Sequence, residues 1–214
     1  MATLRNAGSG AIVAEIAAVI VENRAYLSEI DGKIGDGDHG VNMAKGFSRA
    51  AERLASRESS LAEALDALGQ VLMSEIGGSM GPLYGMMFTE MAEAIENKES
   101  LDAEAYAAML RAGLSGVEAI GSAKVGDKTM LDSLVPAVEA AEAAVAEGSG
   151  FPAALTRSKE AAADGRERTR DLVARIGRAS RLGERSKGVL DAGATSCSLI
   201  VAALADGIAA RLAA

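Results

Sequence analysis

Ile12, Ile16, Val19, Ile20 and Leu27 recur at roughly helical spacing across residues 10–29, which gathers apolar side chains on one face of a helix. Residues 41–58 repeat the pattern, with Met43, Phe47, Ala51 and Leu54 on one face and basic residues opposite. Ser60-Leu61-Ala62-Glu63 reads as a capping box, in which the serine and the glutamate each satisfy an unpaired N–H at a helix start. The third helix therefore begins at Leu61, continues through Leu65, Leu68 and Leu72, and stops at Gly77-Gly78. Pro82 suits an early helical position and leads into a fourth helix over 83–97, and 102–120 forms a fifth. Residues 129–147, a segment opened by Pro152, and the mostly apolar 193–212 complete a set of eight. The charged run from Lys159 to Asp171 reads as a solvated helix face, and 176–192 as a long connection rich in Gly, Ser and Arg.

Eight amphipathic helices with short connections predict an all-α protein, an antiparallel up-and-down bundle or barrel forming one domain over 1–214. Glycine-rich breaks follow the first, third, fifth and seventh helices, with tighter turns between. In an up-and-down arrangement these alternate connections share one end. A ligand site built from loops belongs there.

Composition narrows the function. An alanine-rich chain with three prolines supports helices nearly throughout, and 49% hydrophobic content over 214 residues is enough for one core. The single Cys197 forms no intrachain disulfide and suits a reducing compartment; with no secretory h-region and no apolar run of bilayer length, the expectation is a cytoplasmic protein with no membrane partner. A net charge of -8 argues against nucleic acid, and 3% aromatics without Trp argues against stacking platforms. A bound polyphosphate would need metal ions, backbone N–H groups and a few well-placed cations.

Four loops carry candidate chemistry. The stretch Asp31-Gly32-Lys33-Ile34-Gly35-Asp36-Gly37-Asp38-His39-Gly40 sets three carboxylates among glycines. Such oxygen donors, with no thiolate nearby, favour Mg²⁺, Mn²⁺ or Ca²⁺ over zinc, and the spacing fails the EF-hand pattern. Gly77-Gly78-Ser79-Met80-Gly81-Pro82 stands at a helix start, where free N–H groups and the helix dipole can receive a phosphate; taken alone, a C-cap followed by an N-cap with no ligand is the plainer reading. Gly121-Ser122-Ala123-Lys124-Val125-Gly126-Asp127-Lys128-Thr129 nearly spells a Walker A motif, yet it follows a helix and not a strand, so it is no P-loop. Lys128 or Thr129 remains open as a ligand contact, and Asp127 as a helix cap. The fourth loop holds Arg178, Arg181 and Arg185, whose guanidinium forks suit phosphate; surface pairing with Glu184 is the plainer reading for the last two. His39 is the only histidine, Cys197 reads as a core residue, and Met130 is the methionine placed to wall an adenine ring.

With those loops in view the chain resembles the L subunit of dihydroxyacetone kinase, the nucleotide-binding component. The resemblance rests on Ile34-Gly35-Asp36-Gly37-Asp38-His39-Gly40 with Asn42-Met43, on Gly77-Gly78 to Pro82-Leu83, on Gly126-Asp127-Lys128-Thr129-Met130, and on Gly177-Arg178-Ala179-Ser180 through Ser186. It implies an eight-helix barrel holding ADP or ATP at one end, with two Mg²⁺ ions bridging phosphates to Asp31, Asp36 and Asp38. It further implies phosphate or ribose contacts from His39, Asn42, Gly78, Ser79 and Arg178, catalytic roles for Arg178 and His39, and a nucleoside border of Gly121, Met130, Asp191 and Gly193. The ketose would sit on a separate K-type subunit, and an M-type phosphohistidine donor could rephosphorylate ADP in place. A homodimer is left open.

One segment departs from the family. Gly188-Val189-Leu190-Asp191-Ala192-Gly193-Ala194 stands where many members read G-H-x-D-P-G-A, which bears on lid and partner contacts and keeps a four-carbon triol ketone beside dihydroxyacetone as the substrate. Two other classes of function fit the same metal loop: a nucleotide-loaded regulatory module reporting kinase state to a transcription factor, and a stand-alone metal phosphohydrolase.

Overall fold

The computed structural model describes residues 2–55 and 58–212. Its helices are α1 (Ala11–Glu22), α2 (Arg24–Ile34), α3 (His39–Leu54), α4 (Leu61–Glu75), α5 (Met80–Glu93), α6 (Ala103–Ile120), α7 (Leu131–Ala146), α8 (Phe151–Arg168) and α9 (Ala192–Ala209). Neighbours in space run α1, α3, α4, α5, α6, α7, α8, α9 and back to α1, so eight helices close a ring. Inside it lies a continuous apolar core, with Ile12, Phe47, Leu68, Phe88 and Tyr106 inaccessible to solvent. Phe47 and Phe88 meet edge to face, 5.9 Å between centroids. Each such side chain contributes about 1.5–3 kcal/mol on burial.

The first expected helix, 10–29, is two. Asn23 Nδ2 donates to Val19 O at 2.9 Å while its backbone leaves helical geometry at φ -87° and ψ 8°. A side chain that competes for a helix carbonyl ends the ladder there, and α2 starts afresh. It packs on α3 and α9 and carries Asp31 in its last turn, so that carboxylate stands on a helix and not in a loop.

Other limits shift less. α3 begins at His39 and ends at Leu54; residues 56–57 of the expected helix lie outside the described residues. α5 takes in Pro82 in its first turn and stops at Glu93, and α7 begins at Leu131. The capping box forms as read: Glu63 N donates to Ser60 Oγ at 3.1 Å, and Ser60 N to Glu63 Oε2 at 2.8 Å. The connection before α9 winds into 3₁₀ turns over Arg178–Ser186, broken at Gly183.

No periodicity announces the two-stranded ribbon of β1 (Leu4–Arg5) and β2 (Ser100–Leu101), antiparallel with Leu4 opposite Leu101. Beside it Asn6 donates to Ile95 O at 2.8 Å and Lys98 O at 2.9 Å and accepts from Ala62 N, tying together the end of the barrel away from the Gly77-Gly78 loop. α9 corrects the expectation that no apolar run reaches membrane-spanning length: its 18 residues pass that test by length and composition. In the structure it packs against α1, α7 and α8, as a core helix does.

Candidate functional site

Four connections meet at one end of the barrel, as the alternation of glycine breaks predicts: 35–38, 76–79, 121–130 and 172–191. They line a cavity of about 790 Å³. That volume accommodates a mid-sized organic ligand.

Asp31, from the last turn of α2, and Asp36 and Asp38, from the first loop, bring carboxylate oxygens within 4.8 Å of one another. The cluster forms because α3 can crowd α2: a Cβ on Gly40 would stand 2.0 Å from Arg24 O. That approach sets His39 N–H 3.4 Å from Asp31 Oδ2. Three anions this close repel unless a cation joins them, and an all-oxygen donor set suits a hard divalent ion. Arg178 reaches across from the fourth loop to form an ion pair with Asp36. Both side chains are largely exposed, so the tether is weak and easily exchanged for another partner.

The second loop offers bare backbone. Nothing lies within 4 Å of the place a Cβ would take on Gly77 or Gly78, and Gly78 holds φ +73°. No side chain caps the first turn of α5, which leaves its N–H groups and dipole free for an anion.

The third loop uses its lysine for architecture. Lys128, almost fully buried and left-handed at φ 65°, donates from Nζ to Thr169 O (2.6 Å), Val189 O (2.5 Å) and Leu172 O (3.2 Å). The ammonium thereby bolts loop three to loop four and is not turned to a ligand. Asp127, too far ahead of α7 to cap it, accepts from Lys124 N within the loop. No side chain caps α7; Asp132 in its first turn reaches back into the loop instead, accepting from Gly126 N at 2.6 Å and Thr129 N at 2.7 Å. Thr129 lines the cavity, as does Met130; a Cβ on Gly193 would come within 3.4 Å of Met130 N, so the two face each other across a narrow wall.

Asp191 caps α9, accepting from Ala194 N at 2.7 Å. Burial pushes its carboxyl up to about 7; Asp132 adds to this, and the Ala194 N–H and Lys128 oppose it. The folded chain then holds a proton that the unfolded chain, with a carboxyl near 3.8, has released, so this group lowers stability as pH rises between those values. Asp191→Asn, which keeps a cap acceptor, is expected to remove that falling limb in thermal midpoints measured from pH 4 to pH 8.

His39 is buried beneath the carboxylates. Its Nε2 lies 2.9 Å from Ser196 Oγ, which is 2.7 Å from Tyr84 Oη. Burial pulls the imidazole down to about 4, against the upward pull of Asp31, so it is neutral at pH 7. Sequence reasoning missed Tyr84 and Ser196, although hydroxyls inside an otherwise apolar α9 were a signal. Cys197 is core, its thiol pushed up to about 12 by burial, and does not reach the cavity wall. All the residues expected at the site line this one cavity: Asp31, Asp36, Asp38, His39, Asn42, Gly78, Ser79, Gly121, Met130, Arg178, Asp191 and Gly193.

Fold and site together define an all-α barrel whose loop end sets a metal-type carboxylate cluster against an anion-receiving helix start. The family model for the DAK2 domain matches residues 33–206, and the chain belongs to that family. It is 41% identical over 181 residues to the ADP-binding subunit of the PEP-dependent dihydroxyacetone kinase of Escherichia coli K12, covering 84% of this chain and 86% of that one. It is 34% identical to a D-erythrulose kinase of Mycolicibacterium smegmatis, covering 96% of this chain and 39% of that one. Among solved structures it resembles the dihydroxyacetone kinase from C. freundii in complex with AMP-PNP and Mg²⁺, with TM-score 0.69 and 28% identity over 92% of this chain and 33% of that one.

Proposed function

We propose that this chain is the ADP- or ATP-binding, phosphoryl-donating subunit of a dihydroxyacetone or related short-ketose kinase, working as one nucleotide-binding unit. The observation that carries this reading is a single cavity lined by three mutually close carboxylates, by the bare Gly77-Gly78 backbone and by Arg178. Carboxylates and phosphates repel, so their shared cavity makes chemical sense where divalent cations join them. Two bound Mg²⁺ ions would supply charge neutralisation to a polyphosphate. Asp31, Asp36 and Asp38 would hold them, as the donor chemistry fits.

The remaining roles belong to the chain's own groups. N–H donors at Gly78 and Ser79 would take phosphate oxygens, with Asn42 beside them. Arg178, released from Asp36, would brace the transferring phosphoryl group, and His39 would contact phosphate in its neutral form. Gly121, Met130, Asp191 and Gly193 would border the nucleoside. The relative named as an ADP-binding subunit and the neighbour solved with AMP-PNP and Mg²⁺ support the nucleotide. We assign the ketose to a K-type partner and, in a PEP-driven relay, rephosphorylation to an M-type phosphohistidine donor, all in the cytoplasm. The likeness to a D-erythrulose kinase keeps a four-carbon triol ketone beside dihydroxyacetone.

The purified chain, mixed with a K-type subunit and ketose, is expected to transfer phosphate from ATP or from a PEP-driven relay. Native mass spectrometry showing stoichiometric ADP would point to the relay. Transfer from neither donor would sink the kinase reading and leave the regulatory one; steady phosphate release without a K-type subunit would point to hydrolysis.

A further inference from the structure

Beneath the carboxylates, three helices contribute one side chain each to a buried polar chain: His39 from α3, Tyr84 from α5 and Ser196 from α9. All three are buried, Ser196 completely. Nothing in the proposed chemistry requires Tyr84 or Ser196, yet polar groups cost free energy in such surroundings unless each is paired. Their protons can be followed one at a time.

Tyr84 O–H has two acceptors in reach, Ser196 Oγ at 2.7 Å and Gly193 O at 2.9 Å. Ser196 O–H can turn to Ala192 O or Gly193 O, each at 3.1 Å, or to His39 Nε2 at 2.9 Å. Both carbonyls already belong to the helix ladder of α9, whereas an imidazole nitrogen without a proton has an unused and more basic lone pair. The favoured arrangement therefore runs Tyr84 O–H to Ser196 Oγ, then Ser196 O–H to His39 Nε2. The ring proton is left on Nδ1. That nitrogen has no protein partner among the described residues, and the ring lines the cavity.

We propose that Ser196, braced by Tyr84, is a positioning residue: it holds His39 in the Nδ1–H form, so that the ring presents a donor, and not a lone pair, to an anion in the cavity. The purpose of the arrangement rests on the nucleotide-binding reading above; the hydrogen-bond geometry does not. A donor at this place would offset the three carboxylates that otherwise turn an anion away.

His39 is the only histidine in the chain, so a ¹H–¹⁵N spectrum of this 214-residue chain labelled at histidine reports this ring alone. The wild type is expected to show the Nδ1–H pattern. Ser196→Ala should move it toward the Nε2–H form that a free histidine side chain favours, and weaken Mg²⁺–ADP binding about tenfold by calorimetry, the loss of a well-held donor to a charged group. Tyr84→Phe should do the same to a smaller degree, and it carries the test if Ser196→Ala fails to fold. Tyr106 and Ser158 supply the control, a second buried tyrosine–serine pair at 2.8 Å with no part in the cavity lining. Ser158→Ala should cost stability while leaving both the His39 spectrum and ADP affinity unchanged. An Nε2–H ring in the wild type would overturn the proposal, as would a Ser196→Ala spectrum and affinity matching the wild type. A tautomer change in Ser196→Ala, in a protein whose wild type binds no ADP, would uphold the positioning of the ring and overturn the nucleotide reading instead.

Discussion

Asp36→Asn is expected to abolish Mg²⁺-dependent retention of ADP, lowering affinity at least about a hundredfold in calorimetry with Mg²⁺ present. Even partners outside the ligand shell of a metal site are worth about ten- to a hundredfold, and Asp36 would be a ligand. Asparagine keeps the size and one oxygen but removes a full negative charge from a cluster of three. Its fold should survive, because the ion pair that Asp36 makes with Arg178 is exposed and worth little to stability. Melting curves separate the two effects. Without ligand the midpoints of wild type and variant should agree closely; with Mg²⁺ and ADP only the wild type should rise, since a ligand stabilises the folded state it binds. ADP binding by the variant at wild-type strength would contradict the assignment of the metal.

The site was more legible in the sequence than the structure that supports it. Glycine breaks after alternate helices place four loops at one end by parity alone, and an acidic loop, a helix start and an arginine at that end leave few chemical readings. Such features are local, and local spacing reports them faithfully. What escaped depends on contacts between distant residues or on how one side chain turns. Asn23 divides a helix whose apolar spacing is continuous, because its amide finds Val19 O. Asn6 clamps residues 89 and 92 positions away, and Ser196 meets His39 across 157. A motif can also mislead by being nearly right. The lysine of the Walker-like run stands one place late, behind Asp127, and without a strand before it the loop turns that side chain into the protein.

Lys128→Met should therefore produce the largest loss of stability at the site. Methionine matches the length of the lysine stem and lacks the ammonium, leaving the carbonyls of Thr169, Leu172 and Val189 without their shared donor. Burial pulls the Lys128 pKa down while Asp191 and Asp132 hold it up, so desolvation offsets part of what those bonds contribute. A net cost on the order of 3 kcal/mol follows from removing one partner of a buried charged network. For a chain of this size that lowers the melting midpoint by roughly 6–12 °C. ADP affinity should fall with it, since the same contacts hold the wall carrying Met130 against the loop carrying Asp191 and Gly193. The left-handed backbone at φ 65° permits a sharper test with Lys128→Gly. Relief of that strain is worth about 1 kcal/mol or somewhat more, and if it outweighed the lost ammonium bonds, glycine would leave stability near the wild type. Because the ammonium network and the buried stem together contribute more than that relief, Lys128→Gly should melt well below the wild type. A glycine variant as stable as the wild type, with ADP affinity intact, would show that the bolt between loops three and four is dispensable.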